Sequence, residues 1–470
     1  MTLSLEELMT RVRALTLTDA AVADYIATEG SDTREQLAED FPDRTELTAA
    51  VAPLQPGVAP FQPSVRPAWS TTARPFDPTL GVFNLRPDNM RRWRRARARQ
   101  AAGLGQAHVS AGIDSITHGA GATGASNPKH TNSWPGRLRR MFDAKYGAAG
   151  SGIVPLRSTM TVANQAWDPR VVLTGTIEDT SAGINNLASK RWLAASDANY
   201  LTFTATCTEF WIYGLGAGSR PRVQIDGGTV QTISGQVGMD PSLTDWDPEA
   251  GYQGNVTDGF GQIVTKVTAG ASGSHALKLM APSNGTSYVQ VTALEARIAG
   301  TAGIRVSNLG HNGVDTSHST LDDATYGVRG MAQYFDMVKA DLAVLLVGMN
   351  DFQVHRTTAA FKANLTTMIQ RQRSSATYRA NGDVLLVACA QPNYASPIPL
   401  DGIQTPALTA YYTAMYEVAH EQDVPLLDLA HRWTDFGVSN GLGFFADALH
   451  PGDSGLEDIA TGIYNVLMAV

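Results

Sequence analysis

Four short stretches of this 470-residue chain carry residue types that together could move an acyl group. Ser115 stands in Gly112-Ile-Asp114-Ser115-Ile-Thr-His-Gly119. A serine hydroxyl is a weak nucleophile and needs a base beside it. His450, in Asp447-Ala-Leu-His450-Pro451, can take its proton. Asp447 stands three residues before it and can orient the imidazole and stabilise the imidazolium that forms. Attack on an ester carbonyl builds negative charge on oxygen, which needs preorganised donors. The Ser115 backbone N–H, the Gly313 N–H in Asn308-Leu-Gly310-His-Asn-Gly313, and the side-chain amide of Asn350 in Gly348-Met-Asn350-Asp351 can supply them. Gly313 suits the task because no side chain blocks the approach to its backbone. The catalytic candidates are therefore Ser115, Asp447 and His450, and the oxyanion candidates are Ser115, Gly313 and Asn350.

Elements must bring these stretches together. The run 106–112 reads as a strand, as do Ile304–Asn308, Asp341–Val347, Asp383–Ala388 and Val424–Leu429. The last three are almost continuously apolar, as buried parallel strands are. Helical spacing recurs at Trp134–Tyr146, with Trp134, Leu138, Met141 and Phe142 on one face, and near 325–339, 358–373 and 406–421. Alternating strands and helices predict a parallel sheet covered on both faces. Ligands of such sheets bind at the carboxyl ends of the strands. The first three stretches each follow a strand, and the fourth lies near the C-terminus.

The four blocks, in this order, resemble those of the SGNH (GDSL-type) hydrolases. Asp-Ser-Ile-Thr-x-Gly, a Gly after Asn in the next block, Gly-x-Asn-Asp and Asp-x-x-His carry the resemblance. It implies Ser115 as nucleophile, Gly313 and Asn350 as oxyanion donors, and Asp447 and His450 as the rest of a triad. It implies no cofactor and no metal. Where that family usually has Gly before Asp-Ser, this chain has Ile113, with Gly112 one earlier. Gly310 competes with Gly313; the spacing of five from Asn308 and the following Asp315-Thr316 favour Gly313. The resemblance covers about 105–150 and 303–470.

Between those parts the pattern differs. Runs such as Tyr200–Cys207, Glu209–Tyr213, Arg222–Asp226, His275–Met280 and Ser287–Glu295 are β-rich and separated by turn residues. They predict an inserted β-sandwich or jelly roll. At the other end, residues 4–15 read as an amphipathic helix with Ser4 and Glu7 as a capping box, and a second helix is expected near 19–28. Eight prolines between Pro53 and Pro87 predict an extended linker. The expected fold class is thus α/β: an SGNH-like parallel sheet sandwiched by helices, split by an all-β domain, with a small helical N-terminal segment. The expected boundaries are 1–50, 51–104 (linker and basic helix), 105–154, 155–300 and 301–470.

Bulk properties exclude some functions. A net charge of −8 argues against nucleic acid as a partner. The one basic run, Arg91 to Arg99, reads as a solvated helix face, with a polyanion contact as the alternative. Two cysteines, Cys207 and Cys389, sit in apolar or alternating runs and read as core. No run of about eighteen apolar residues predicts a membrane span, and the N-terminus is not a secretory signal.

Some sequences compete with the main reading. Gly437-Val-Ser439-Asn-Gly441 fits a nucleophile elbow but lacks the strand before it. Ser454, in Gly-Asp-Ser-Gly, reads with Glu457 as the capping box of the last helix. His311 and His318 lack a complete metal-ligand spacing and read as core or rim residues. Asp351 reads as a loop holder.

The β insertion is the main clue to substrate. It carries Trp167, Trp192, Trp211, Tyr213, Trp246 and Tyr252. Such aromatics can stack on sugar rings if exposed, though most aromatics of a sandwich are core. Appended jelly rolls in SGNH proteins resemble carbohydrate-binding modules. That resemblance implies a carbohydrate esterase that removes O-acetyl groups from cell-envelope or surface polysaccharide. The stretch Ala23–Leu37 resembles tail proteins of actinobacterial phages and prophages. It implies a place in the virion tail, among tail proteins, with delivery outside the cell without a signal peptide; a cytoplasmic place is the alternative. A helical N-terminus before a stiff linker would suit a homotrimer. The competing functions are a glycan-binding tail adhesin and a general carboxylesterase or lipase.

Overall fold

The computed structural model describes residues 76–123, 129–156, 168–179, 190–193, 197–215, 222–232, 262–281, 288–317, 338, 340–373, 382–393 and 406–470. The expected helices at 4–15 and 19–28, and that at 325–339 apart from residue 338, lie outside these residues, as do Ala23–Leu37, His318, Trp167, Trp246 and Tyr252.

Two short strands, β1 (Phe76–Asp77) and β2 (Val82–Phe83), precede helix α1 (Arg91–Ala101) and strand β3 (Ala107–Ile113). Helices α2 (Ser115–His118), α3 (Lys129–Asn132) and α4 (Trp134–Tyr146) follow. Nine strands then form the inserted part: β4 (Gly150–Pro155), β5 (Val171–Thr174), β6 (Glu178–Asp179), β7 (Lys190–Leu193), β8 (Tyr200–Leu215), β9 (Arg222–Ile225), β10 (Gln231–Thr232), β11 (Gln262–Met280) and β12 (Tyr288–Arg297). The α/β pattern resumes with β13 (Ile304–Asn308), β14 (Leu342–Val347), α5 (Met349–Gln353), α6 (Thr358–Arg373), β15 (Asp383–Ala388), α7 (Leu408–Glu421) and β16 (Leu426–Asp428). It ends with α8 (Leu429–Trp433), α9 (Phe436–Gly441) and α10 (Asp453–Met468).

The first sheet has the order β1-β2-β16-β15-β14-β3-β13. Its five central and distal strands, β16 to β13, pair in parallel, while β2 is antiparallel to β16. Every residue of β3, β13, β14 and β15 is buried. That is why β14 and β15 read as nearly continuous apolar runs rather than alternating ones. Each fully buried Leu, Ile or Val side chain there contributes about 1.5–3 kcal/mol over leaving it in water.

The basic run forms α1, which buries Trp93, Ala96 and Gln100 and leaves most of its arginines exposed. Its N-terminus has no side-chain cap of its own. Instead Asp383, on β15, accepts the backbone N–H groups of Arg92 and Trp93 at 2.7 and 2.9 Å. A carboxylate there satisfies orphan donors and suits the positive end of the helix. The stretch from Phe76 to Ala101 is therefore not linker. Phe83 and Val82 are fully buried and pair with Leu426 and Leu427, so the hydrolase sheet begins well before residue 105.

The insertion also starts earlier than expected, at Gly150, because β4 pairs with β12. Its described strands hydrogen-bond into one branched antiparallel sheet. The branching follows from strand length. The 16-residue β8 pairs along one edge with β11 throughout, and along the other first with β5 and then with β12.

This sheet has its own core around Phe203, Phe210, Leu277 and Leu294. Yet Ile153, Trp211, Tyr213 and Ala293 belong to the core of the α/β part. Two of the six aromatics noted in the insertion, Trp211 and Tyr213, are thus core, as most aromatics of such a domain are expected to be. Trp211 donates its indole N–H to Glu209 and lies under the Arg297 guanidinium, 3.8 Å from its ring centre. Tyr213 donates to Glu295 at 2.8 Å. Trp192 lies on β7. The seam carries a buried ionic group in which Glu295 accepts from Arg297 and Arg305. Burial alone would raise the Glu295 pKa, but the two guanidinium groups outweigh it and hold the carboxyl well below the usual range. Nearby, Ser307 on β13 accepts the Ile153 N–H of β4 at 2.9 Å and pairs with the His108 ring at 2.7 Å.

Both cysteines are buried and free. Among the described residues no helix is long and apolar enough to cross a membrane, and no cluster of three or more His, Cys, Asp or Glu could hold a metal ion.

Candidate active site

Strand β3 ends at Ile113, and Asp114 turns the chain into α2. The Asp114 carboxylate accepts the Thr117 N–H at 3.0 Å and so caps that helix. Ser115 is its first residue, so its own backbone N–H has no intrahelical acceptor. Asp114 is buried, which pushes its pKa up to about 6 against the pull of the Thr117 hydrogen bonds and the charge of His450.

The Ser115 hydroxyl lies 3.1 Å from His450 Nε2. The other ring nitrogen, Nδ1, lies 2.9 Å from Asp447 Oδ2. A carboxylate can only accept, so Nδ1 carries the proton and Nε2 of the neutral ring accepts from Ser115. Asp447 Oδ1 also accepts the backbone N–H groups of Leu449 and His450 at 2.7 and 2.6 Å. Partial burial works against its ionised form. Those hydrogen bonds and the imidazole outweigh it and hold the carboxyl below its ordinary pKa. The three residues named from sequence as catalytic thus stand in one hydrogen-bonded line.

The block-two loop continues the β13–β3 pairing past the strand end. Leu309 N–H donates to Ala111 and His311 N–H to Ile113, both at 2.8 Å. This sets residues 309–313 beside the turn into Ser115. Gly310 and Gly313 have different uses there. A Cβ on Gly310 would fall 2.3 Å from the His118 nitrogen, so glycine is what lets the loop touch α2. The Gly310 N–H is already donated to Asn308 Oδ1 at 3.0 Å. Gly313 has open space around it and φ of +74°, a left-handed conformation that favours glycine.

Asn350 follows β14, which pairs directly with β3, and its amide donates to Val314 O at 2.8 Å. The amide is therefore anchored one residue from Gly313. Asp351 holds the loop, accepting from Thr316 N–H and Oγ1 and pairing with Arg356 at 3.1 Å. Burial raises its pKa to about 6.

The competing motifs resolve differently. Ser439 lies buried in α9 and donates to Trp433 O. The last helix starts at Asp453 with Gly452 as its cap and no side-chain cap bond, so Ser454 and Glu457 do not form a capping box. Glu457 and Asp453 instead accept from Arg137 at 2.6 and 2.8 Å, a pairing with no signal in sequence spacing. His311 is buried, with Nδ1 2.8 Å from Asn312 O.

A cavity of about 370 Å³ lies elsewhere, lined by Gln106, Glu209, Lys266, Arg297 and Thr301 among others. Its polar groups are already paired: Lys266 with Glu209 at 2.6 Å, and the Gln106 amide with Ala149 O, Ile298 O and Thr301. The hydrogen-bonded line of Ser115, His450 and Asp447 does not border this cavity.

Residues 256–457 match the family model described as GDSL-like Lipase/Acylhydrolase family. The match takes in Gly313, Asn350, Asp447 and His450, while Ser115 lies ahead of it, beyond the insertion. No curated protein sequence matches the chain. Among solved structures, one described as a peptidoglycan O-acetylesterase in action is 13% identical, covers 83% of this chain and 100% of its own, and superposes with a TM-score of 0.58. That likeness shows a shared fold. A Bacillus subtilis protein covers 62% of this chain and 88% of its own at 15% identity, with a TM-score of only 0.31.

Proposed function

From the premise that the chain is a serine ester hydrolase, we propose that it is a carbohydrate O-deacetylase. Its substrate is an O-acetylated cell-envelope polysaccharide, peptidoglycan included. The observation that carries the reading is the line Ser115 Oγ–His450 Nε2, His450 Nδ1–Asp447 Oδ2, at 3.1 and 2.9 Å. The likeness to a peptidoglycan O-acetylesterase, over 83% of this chain, supports the choice of substrate class.

The chemistry follows from that line. His450 takes the Ser115 proton as the hydroxyl oxygen attacks the acetyl carbonyl, and Asp447 stabilises the imidazolium. In this reading the Ser115 and Gly313 N–H groups and the Asn350 amide are the donors that would stabilise the charge developing on the carbonyl oxygen. Collapse of the tetrahedral intermediate expels the sugar alkoxide, which takes the proton back from His450. Water, activated by the same imidazole, then releases acetate from Ser115. Delivery as part of a phage tail remains our reading of the resemblance at Ala23–Leu37.

The test is hydrolysis of p-nitrophenyl acetate, butyrate and octanoate, and acetate release from O-acetylated peptidoglycan and xylan, by wild type and Ser115→Ala. Acetate preference lost in Ser115→Ala is expected. Preference for octanoate would replace the deacetylase with a lipase. Folded, glycan-binding protein with no activity would favour the adhesin.

A further inference from the structure

Ser115 and His450 are 335 positions apart in the chain. Their separation of 3.1 Å must therefore be kept by contacts rather than by the backbone between them. One short route of contacts exists. Thr117, two residues after Ser115, accepts the indole N–H of the fully buried Trp134 at 3.3 Å. Trp134 opens α4, and Arg137 lies one turn further along it. Arg137 Nη2 donates to Asp453 Oδ1 at 2.8 Å and Nη1 to Glu457 Oε2 at 2.6 Å. Its Nε is used as well, donating to Asn132 O at 2.8 Å. Asp453 is the first residue of α10, three residues after His450.

Two further contacts brace the same loop. The Thr123 hydroxyl donates to the second Asp453 oxygen. Gly121, at φ +89°, touches the backbone behind the histidine so closely that a Cβ would fall 2.2 Å from Pro451 O and 3.0 Å from His450 Cβ. The far side of the loop is closed by its own pairing, Ala446 N–H to His450 O at 2.9 Å.

We infer that Arg137 is a positioning residue for His450: by clasping the first turn of α10 to α4, it holds the imidazole on the Ser115 hydroxyl. The Arg137 side chain is 12% exposed and its guanidinium forks across two carboxylates. Lysine, a point charge on a flexible stem, cannot reproduce that fork. Releasing the clasp lets α10 and the loop ahead of it drift, and a shift of about 1 Å in a catalytic group costs on the order of 10²-fold in rate. The inference rests on the triad reading above.

The test compares Arg137→Met, Arg137→Lys and Asp453→Asn with Ser115→Ala and His450→Ala, all as full-length protein on p-nitrophenyl acetate. Arg137→Met is expected to lower kcat by roughly tenfold or more while KM stays within about twofold. The rate at which an organophosphate inactivates Ser115 should fall by the same factor, since both need His450 as base. Arg137→Lys should recover part of both losses, and Asp453→Asn should fall between. Should Arg137→Met fail to fold, Asp453→Asn, which keeps the side-chain shape, decides. A lower Tm with unchanged kcat and inactivation rate in these variants would overturn the inference alone, leaving a merely structural clasp. Full activity in His450→Ala would overturn the triad and this inference with it.

Discussion

One carboxylate fixes both the ring and the backbone of the same histidine: Asp447 lies 2.9 Å from His450 Nδ1 through one oxygen and 2.6 Å from the His450 backbone N–H through the other. The loop can therefore hardly turn without breaking the contact that sets the tautomer. Asp447→Asn separates the two roles. An amide oxygen can still accept the backbone N–H groups, so the loop should keep its shape. The amide nitrogen would then face Nδ1 as a donor and favour the tautomer with its proton on Nε2, which cannot take the Ser115 proton. We expect kcat to fall roughly 10³- to 10⁴-fold with little change in Tm. A loss below about tenfold, read from ester hydrolysis at pH 8, would count against Asp447 as the orienting group.

Gly310 and Gly313 give a paired prediction. Gly310→Ala forces a Cβ against the His118 nitrogen of the nucleophile helix, so both stability and turnover should suffer. Overpacking of this kind costs about 1–3 kcal/mol. Gly313→Ala meets no neighbour and pays only for its left-handed backbone, about 1–2 kcal/mol if the conformation is kept. Urea denaturation beside kcat measures both. Unchanged stability and turnover in Gly310→Ala would contradict the close approach of this loop to α2.

The local parts of this site are readable in the sequence. Asp447 and His450 interact across three residues, and the strands at Ile304–Asn308 and Asp383–Ala388 and the helices at Trp134–Tyr146 and Thr358–Arg373 form where the periodicity predicts them. What pattern cannot carry is partner identity. Phe83 reads as part of a proline-rich linker because two-residue strands leave no period to detect, yet it extends the sheet beyond β16. The alternation around Trp211 and Tyr213 fits a core face or a surface platform equally; only their buried partners Glu295 and Arg297, distant in the chain, decide for the core. Arg137 is an ordinary helix arginine until the distant α10 arrives beside it.

The ionic group at the seam should be costly to break. Glu295→Gln leaves the buried Arg297 and Arg305 without a countercharge, and breaking a buried pair in this way costs about 3–5 kcal/mol. Because the folded-state pKa of Glu295 is depressed, its contribution is complete above the unfolded carboxylate pKa and is lost as pH falls. The gap between wild type and Glu295→Gln in urea midpoint should therefore be widest near pH 7 and narrow on acidification. A pH-independent gap would mean that the charge of Glu295 is not what holds the seam.

Asp114 should behave in the opposite sense. Burial raises its pKa to about 6 from an ordinary 3.8. As pH rises from about 4 to 6 the unfolded chain gives up this proton while the folded chain keeps it, so stability falls across that window and levels off above it. A rise of that size corresponds to about 3 kcal/mol at most. Asp114→Asn keeps an oxygen to cap Thr117 and removes the buried charge. It should be more stable than wild type at pH 8 and indistinguishable from it at pH 4. The Asp114 charge also attracts the imidazolium that forms as Ser115 attacks, so the variant should lose turnover at pH 8 by roughly tenfold, equivalent to about 1.4 kcal/mol of barrier. Thermal melts and initial rates on one preparation separate the two effects. A variant less stable than wild type at pH 8 would show that Asp114 is held for its hydrogen bonds alone, and unchanged turnover would show that its charge does not reach the imidazole.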